Sequence, residues 1–216
     1  MFLRRKVKRK LSRVQKANAL TLSTFLVVAL LVSTAALVVC LNNKSVSDGA
    51  IVYRTKTGKT ITVSETRSVR SLSTIKIHTN GFEHNFQEEY NDMDPISDIF
   101  LADLDDNGFD EIYIITTSAG SGSYGNVLAF ASNRDKSLSM IHFPDIRDGD
   151  KNFEGYMGHD SFKIEDQKLV RSFPIYNEGD ANANPMGGKR RLVYGLVPGE
   201  AMWQLKIEQS EKSNDG

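Results

Sequence analysis

A short acidic segment in the middle of the chain has the residue spacing of a cation-binding loop. Asp103, Asp105 and Asn107 alternate along the chain, and Glu111 falls at the ninth position counted from Asp103. Gly108 permits the sharp turn that would fold these oxygen-bearing side chains around one ion. Carboxylate and amide oxygens are the ligands that a hard cation such as Ca²⁺ prefers. The spacing therefore predicts a Ca²⁺ loop formed by these four side chains.

The same segment also has a simpler interpretation, as a tight turn between two strands. An EF-hand loop ends in a bidentate Glu at its twelfth position, where this chain has Ile114. The motif occurs once in the chain, whereas the calcium loops of propeller proteins recur. In this alternative, the Asp and Asn side chains accept hydrogen bonds from backbone N–H groups of the turn. The sequence leaves both interpretations open, and no cofactor other than this Ca²⁺ is expected.

A second segment, rich in hydroxyl groups, follows a strongly apolar run and precedes another. It contains Ser121, Gly122, Ser123 and Tyr124. The connection is longer than the two residues that a tight hairpin needs. Glycine lets a backbone approach a surface closely, and Ser and Tyr hydroxyls can donate hydrogen bonds to carboxylates. The residues alone are compatible with a flexible Gly/Ser loop or with a partner-binding loop that has one aromatic side chain at its tip.

The histidines give no indication of a catalytic site. His78, His84, His142 and His159 are scattered, without the spacing of metal ligands and without a nucleophile nearby. The run 159–161 contains the three residue types of a catalytic triad, but consecutive residues cannot form the required relay. We therefore expect a binding protein and not an enzyme.

The elements that must position these segments are β-strands. Short runs rich in Ile, Val, Tyr, Phe and Thr are separated by Gly, Asn and Asp. Residues 60–63 and 74–78 alternate apolar and polar side chains, as half-exposed antiparallel strands do. The pattern predicts an all-β fold, either an antiparallel β-sandwich or a flattened barrel. Strands are expected at residues 51–55, 60–66, 74–79, 96–101, 111–117, 127–132, 138–143, 158–164, 169–176, 191–196 and 202–208.

The charges are segregated along the chain, although the formal net charge is zero. Residues 1–18 contain eight basic residues and no acid, and the first acidic residue is Asp48. Nine of the 27 basic residues lie in residues 1–44, so residues 45–216 carry a net charge of −9. An acidic body would repel phosphate, and we expect no nucleic-acid partner.

An uncharged apolar segment, residues 19–41, separates the basic head from the acidic body. It is long enough to cross about 30 Å of hydrocarbon as a transmembrane helix, and the basic flank places residues 1–18 in the cytoplasm. We predict a retained signal anchor that places the body on the periplasmic side of the bacterial inner membrane. A cut near residues 33–35 would instead give a soluble periplasmic protein, and Cys40 offers a third option as a lipoprotein cysteine.

The predicted organisation has five parts. Cys40 is the only cysteine, so the exported body contains no internal disulfide and must be stabilised by a packed core. The parts are a basic cytoplasmic head at 1–18, a transmembrane anchor or signal peptide at 19–41, a linker at 42–50, an exported β-domain at 51–208 and a polar tail at 209–216.

The loop at Ser121–Tyr124, taken with a later segment, resembles the periplasmic inhibitors of invertebrate-type (I-type) lysozyme. The two blocks occur in the same order and together cover about residues 75–207. The resemblance implies an all-β inhibitor that inserts the Ser-Gly-Ser-Tyr loop into the cleft of a lysozyme and so protects peptidoglycan. The later segment comprises Leu169–Tyr176, Gly179-Asp180, Asn184-Pro185, Gly187-Gly188, Arg190 and Tyr194.

The resemblance also implies a role for individual residues. Lysozymes work with two carboxylates, one of which stays protonated as the general acid. Ser121 and Tyr124 would be the main contacts to these carboxylates, and Gly122 would allow the loop to enter. From its residue type, Arg190 could reach a further carboxylate of the partner. The alternative function is a structural or Ca²⁺-binding cell-envelope β-domain without lysozyme inhibition, and the sequence leaves a homodimer open.

Overall fold

The computed structural model describes residues 44–47, 49–69 and 71–213. The predicted head at residues 1–18 and the predicted anchor at residues 19–41 lie outside these ranges. Inside them, no helix has the length and hydropathy that a membrane crossing requires. The regular structure of the described residues consists of strands and one short 3₁₀ helix, Lys151–Phe153, which confirms the all-β prediction.

The strands of the described residues form two sheets. The strands are β1 (Lys44–Ser47), β2 (Ala50–Arg54), β3 (Thr60–Val69), β4 (Leu72–Asn80), β5 (Gln87–Met93), β6 (Ile96–Ala102), β7 (Glu111–Thr117), β8 (Gly125–Ser132), β9 (Leu138–His142), β10 (Ser161–Glu165), β11 (Lys168–Pro174), β12 (Lys189–Pro198) and β13 (Trp203–Ser213). The five-stranded sheet has the order β1-β2-β3-β4-β5, and the eight-stranded sheet has the order β10-β11-β12-β13-β9-β8-β7-β6.

The eight-stranded sheet curls into a nearly closed, barrel-like shape, in which its edge strands β10 and β6 approach each other. Its sheet neighbours are antiparallel except for β13 and β9, which run parallel and pair Trp203 with Ile141 and Gln204 with His142. The prediction of a purely antiparallel sheet is therefore wrong at this pair. A parallel pair requires a long crossover connection, and here residues 143–202 supply it through β10, β11 and β12.

Strands β7 and β8 are buried on both faces. Along β7, Tyr113 and Ile115 belong to the core inside the eight-stranded sheet, whereas Ile112 and Ile114 pack towards the five-stranded sheet. The residues of β8 alternate in the same way between the two cores. Because both faces of β7 and β8 are buried, their sequences are continuous apolar runs without alternating polar residues. This hairpin is the rigid base from which the loop Ser121–Tyr124 projects.

Three stretches of strand show no alternation of apolar and polar residues in the sequence. β5 is an edge strand with mostly exposed polar side chains, so periodicity does not reveal it. β1 lies within the predicted linker at residues 42–50 and neighbours β2 in the sheet. β13 continues through most of the predicted tail to Ser213, because it pairs with β12 over its whole length while its outer half is exposed.

Candidate functional site

The hydroxyl-rich segment is the connection between β7 and β8, residues 118–124. Its backbone is closed by hydrogen bonds within the loop. The Ser118 N–H donates to the Tyr124 carbonyl oxygen at 2.9 Å, and the Tyr124 N–H donates to the Ser118 Oγ, also at 2.9 Å. The Ser123 N–H donates to the Gly120 carbonyl oxygen at 3.1 Å. These bonds give the loop a defined shape, in contrast to a flexible Gly/Ser linker.

Two other segments hold the loop from outside. The His159 N–H donates to the Gly122 carbonyl oxygen at 2.6 Å. The Asn182 Nδ2 donates to the Ser121 carbonyl oxygen at 3.2 Å, and the Asn182 Oδ1 lies 3.2 Å from the His159 Nε2. Asn182 belongs to the connection between β11 and β12. The later of the two sequence blocks therefore lies against the earlier one and braces it.

The tip of the loop presents hydroxyl groups that the described part of the chain leaves unpaired. The Tyr124 side chain is 48% exposed, and its ring packs edge-on against Tyr156 with the ring centroids 5.7 Å apart. Ser121 is exposed and Ser123 is half-buried. Among the described residues, the hydroxyls of Ser121, Ser123 and Tyr124 make no hydrogen bond. All three are therefore free to bond a partner.

Two glycines make this close packing possible. Gly158 has a φ of +89°, and a Cβ at this position would overlap the Gly122 carbonyl oxygen. A Cβ at Gly122 would overlap the Tyr124 ring. The glycine that was expected to let the loop enter a cleft thus also makes room for the aromatic side chain at its tip. The loop backbone, its brace at Gly158 and the Tyr124 ring form one packed unit.

Replacing Gly158 by alanine is expected to destabilise the protein more than an equally strained replacement elsewhere. Both Gly158 and the control, Gly58, have positive φ angles (+89° and +83°), where a side chain costs about 1–2 kcal/mol. The Cβ of Gly58 would have no atom within 4 Å. We expect Gly158→Ala to lower the free energy of unfolding by about 3 kcal/mol and Gly58→Ala by about 1 kcal/mol in urea denaturation. Equal losses would show that contact with Gly122 does not constrain the loop.

A buried ion pair lies directly beneath the loop. The side chains of Arg171 and Asp160 are 2% and 0% exposed, and they form two bonds, Nε to Oδ1 at 2.6 Å and Nη2 to Oδ2 at 3.0 Å. The Asp160 Oδ2 also accepts the Gly125 N–H at 2.7 Å, at the base of the loop. The Tyr156 hydroxyl donates to Asp160 and accepts from the Arg171 Nη2 at 2.7 Å. The same carboxylate thus neutralises a buried cation and anchors the loop.

The guanidinium of Arg171 is enclosed by aromatic rings. Burial by itself lowers the pKa of Arg171. The hydrogen bond to Asp160 and the charge of that carboxylate outweigh this effect and raise the pKa above its ordinary value. One local signal of this arrangement is present in the sequence: a single Arg inside the apolar strand Lys168–Pro174 predicts a buried partner. Its partner was not recognised. The rings, whose centroids lie 5.1–5.8 Å from the Arg171 Cζ, belong to Phe143, Phe153, Tyr156, Phe162 and Phe173.

The structure brings three of the four predicted Ca²⁺ ligands together. Asp103, Asp105 and Glu111 each place one carboxylate oxygen within 4.8 Å of the others. The Asn107 amide is used within the turn, where its Oδ1 accepts a backbone N–H and its Nδ2 donates to the Asp105 Oδ2 at 2.8 Å. The Asp103 carboxylate accepts the N–H groups of Asn107 at 3.0 Å and Gly108 at 2.9 Å. The segment is therefore a capped turn that also gathers three carboxylates.

The predicted secondary contact, Arg190, lies on β12 and is half-buried. Its Nε is buried and has no hydrogen-bond partner in the described part of the chain. The neighbouring Arg191 is engaged in ion pairs with Glu165 at 2.8 Å and Glu211 at 3.4 Å. A contact between Arg190 and a partner stays a prediction.

Comparisons of the chain with known protein families, with curated proteins and with solved structures find no match. The assignment of a function therefore depends on the residues and their geometry. Two places stand out, one at each end of β7: the carboxylate cluster at Glu111, where the strand begins, and the braced loop that follows Thr117, where it ends.

Proposed function

We propose that the protein is an exported, proteinaceous inhibitor of a lysozyme, with an I-type lysozyme as the favoured target. The observation that carries the proposal is the braced loop tip with three hydroxyls, on Ser121, Ser123 and Tyr124, unpaired within the described residues. A loop already held in one shape loses little conformational entropy on binding. The resemblance of this loop and of residues 169–194 to the I-type inhibitors supports the same function.

The loop would act by filling the lysozyme cleft and contacting its two catalytic carboxylates. One of them is ionised at neutral pH and the other is protonated. The Tyr124 hydroxyl would donate a hydrogen bond to the ionised carboxylate, and the Ser121 hydroxyl would supply a second donor. Hydrogen bonds to a charged acceptor are stronger than those between neutral groups. Inhibition would follow because the substrate is excluded from both carboxylates, and the inhibitor itself carries out no reaction.

The aromatic ring and the charge of the body would contribute in different ways. The exposed face of the Tyr124 ring offers apolar contact area with few rotatable bonds, as binding hot spots usually do. The net charge of −9 on residues 45–216 would speed the encounter with a basic lysozyme, an effect that salt weakens. The Tyr124 ring would therefore determine the lifetime of the complex. The negative charge of residues 45–216 would determine the rate at which the complex forms.

Within this proposal the β-domain lies on the periplasmic side of the bacterial inner membrane. Residues 19–41 would anchor it, and the basic residues 1–18 would remain in the cytoplasm. This position would hold the inhibitor close to the peptidoglycan that it protects. The alternative within the proposal is a soluble periplasmic inhibitor released by cleavage of the same segment.

An inhibition assay with three lysozyme classes tests the proposal. The full-length protein in a mild non-ionic detergent is expected to inhibit an I-type lysozyme with a Ki of about 0.1 μM or lower, and hen-type and goose-type enzymes more weakly. Turbidity loss of bacterial cell-wall suspensions provides the rate, and detergent alone is the blank. If all three lysozymes keep their uninhibited rates in the presence of the protein, the proposed function is excluded.

The same assay applied to cell fractions tests the location. We expect the inhibitory activity, and the full-length chain on an immunoblot, in the membrane fraction. A shortened chain with full activity in the soluble periplasmic fraction would show that residues 19–41 are a cleaved signal peptide and not an anchor. The proposal that the protein is an inhibitor would be unaffected.

A further inference from the structure

One buried carboxylate oxygen has no partner among the described residues. Glu111, the first residue of β7, is completely buried. Its Oε2 accepts the Leu104 N–H at 2.8 Å and lies 3.4 Å from the Tyr113 hydroxyl, which donates to it. Its Oε1 is also buried and has no hydrogen-bond partner. A buried carboxyl oxygen that has lost its water without gaining a hydrogen-bond partner is destabilising, so this atom requires an explanation.

Two further acidic side chains, Asp103 and Asp105, lie near Glu111. One oxygen each of Asp103, Asp105 and Glu111 lie within 4.8 Å of one another. Two oxygens bound to the same Ca²⁺, each at about 2.3–2.6 Å from the ion, lie at most about 5 Å apart. The spacing of the three side chains is therefore the spacing of a shared cation, and the turn N–H groups that bond Asp103 keep its carboxylate in place.

The cationic side chain that contacts this region in the described structure is Lys56, from the turn between β2 and β3. Its Nζ lies 3.2 Å from the Asp103 Oδ2 and 3.8 Å from Asp110, and its side chain is 54% exposed. This exposed ammonium contacts Asp103 and Asp110, and the region contains two further carboxyl groups, those of Asp105 and Glu111. The acidic groups gathered here thus outnumber the described cation that contacts them, which agrees with the geometry.

The geometry points to a Ca²⁺ site formed by Asp103, Asp105 and Glu111, in which the unpartnered Oε1 of Glu111 is a ligand. All three ligands are carboxylates, which favour a hard cation over zinc or copper. Of the hard cations we assign Ca²⁺, which accepts six to eight oxygens in flexible geometry with water completing the shell, whereas Mg²⁺ demands near-ideal octahedral geometry. The Asn107 amide serves the turn, where its Oδ1 accepts the Phe109 N–H and its Nδ2 donates to the Asp105 Oδ2.

The position of the site determines what the ion would do. It joins the connection between β6 and β7 to the start of β7, and Lys56, in the turn between β2 and β3, reaches Asp103 through its side chain and Asp110 through its backbone N–H. An ion here would therefore fix the β6–β7 connection, to which Lys56 is bonded, at the end of β7 opposite the loop Ser121–Tyr124. We infer a stabilising ion, independent of lysozyme inhibition.

Thermal unfolding with and without calcium tests the site. The full-length protein in non-ionic detergent, followed by the fluorescence of its single tryptophan, Trp203, is expected to melt about 5 °C higher in about 10 mM CaCl₂ than in EDTA. MgCl₂ at the same concentration is expected to give less than half of this shift. An absent calcium shift, or an equal magnesium shift, would overturn the assignment.

Variants separate binding from folding. Glu111→Gln keeps the shape of the side chain and is expected to lose the calcium shift, while melting in EDTA no lower than the unsubstituted protein. Asp105→Asn, at a half-buried position of the turn, is expected to lower the calcium affinity at least tenfold and so to reduce the shift. The control, Glu88→Gln, removes one exposed charge from β5 and is expected to retain the full shift. A full calcium shift in Glu111→Gln would exclude Glu111 as a ligand.

Discussion

Replacing Tyr124 by alanine is expected to weaken lysozyme inhibition by about 100-fold or more and to lower the melting temperature by no more than about 3 °C. The side chain is almost half exposed, and its ring packs against Tyr156, the backbone of its own loop and Gly158. Its removal should therefore cost little in folding. In a complex, the same ring and hydroxyl would be the central buried anchor, which is why the loss of affinity is large.

Two further variants make the Tyr124 result specific. Tyr124→Phe keeps the ring and loses the hydroxyl, and we expect a loss of about 10-fold in Ki, the usual effect of one hydrogen bond to a charged group. Met202→Ala is the matched control, because Met202 is 47% exposed and lies in the connection between β12 and β13. Its Ki should not change. Inhibition by Tyr124→Ala with the Ki of the unsubstituted protein would show that the loop is not the inhibitory element.

Removing the carboxylate of Asp160 is expected to lower the free energy of unfolding by about 3–5 kcal/mol, or the melting temperature by about 10 °C. Asp160→Ala would leave the Arg171 charge buried without its partner and the Gly125 N–H without an acceptor. Since that N–H lies at the base of the loop, inhibition should also weaken at temperatures where the variant is folded. Urea denaturation and the inhibition assay on the same preparation measure the two effects.

An exposed ion pair provides the comparison for this substitution. Lys76 and Glu89 lie 2.9 Å apart on neighbouring strands β4 and β5, with side chains 54% and 46% exposed. Lys76→Met should leave the free energy of unfolding nearly unchanged, because water and salt screen such pairs. A double variant, Arg171→Met with Asp160→Leu, should recover part of the loss, since no charge remains buried. Similar costs for Asp160→Ala and Lys76→Met would contradict the structural role of the buried pair.

The parts of the fold that the sequence predicted are those with local signals. The runs at Glu111–Thr117 and Gly125–Ser132 are strongly apolar and bounded by Gly and polar turns, so both strands were found. The carboxylates of the acidic loop fall within nine residues, so their proximity could be expected from spacing. Edge strands such as Gln87–Met93 lack such signals, because most of their side chains face water and any polar residue satisfies them.

The parts that the sequence did not predict depend on contacts between distant residues. Asn182 braces Ser121 across 61 positions of the chain, and Asp160 bonds Gly125 across 35. The order of the two blocks in the sequence does not show that they touch, because nothing local indicates which segment lies beside the loop Ser121–Tyr124. For the same reason the sequence does not reveal that Asp160 is a buried counter-ion to Arg171.

The parallel pairing of β13 with β9 has a consequence for how the chain reaches its final shape. Strand β13 is the last described strand, and it lies between β9 and β12, so the eight-stranded sheet stays in two pieces until β13 inserts. Because synthesis begins at the N-terminus, this strand is the last of the described strands to leave the ribosome. The facing edges of β9 and β12 stay unpaired until then, which makes this interval the one in which aggregation and proteolysis compete with folding.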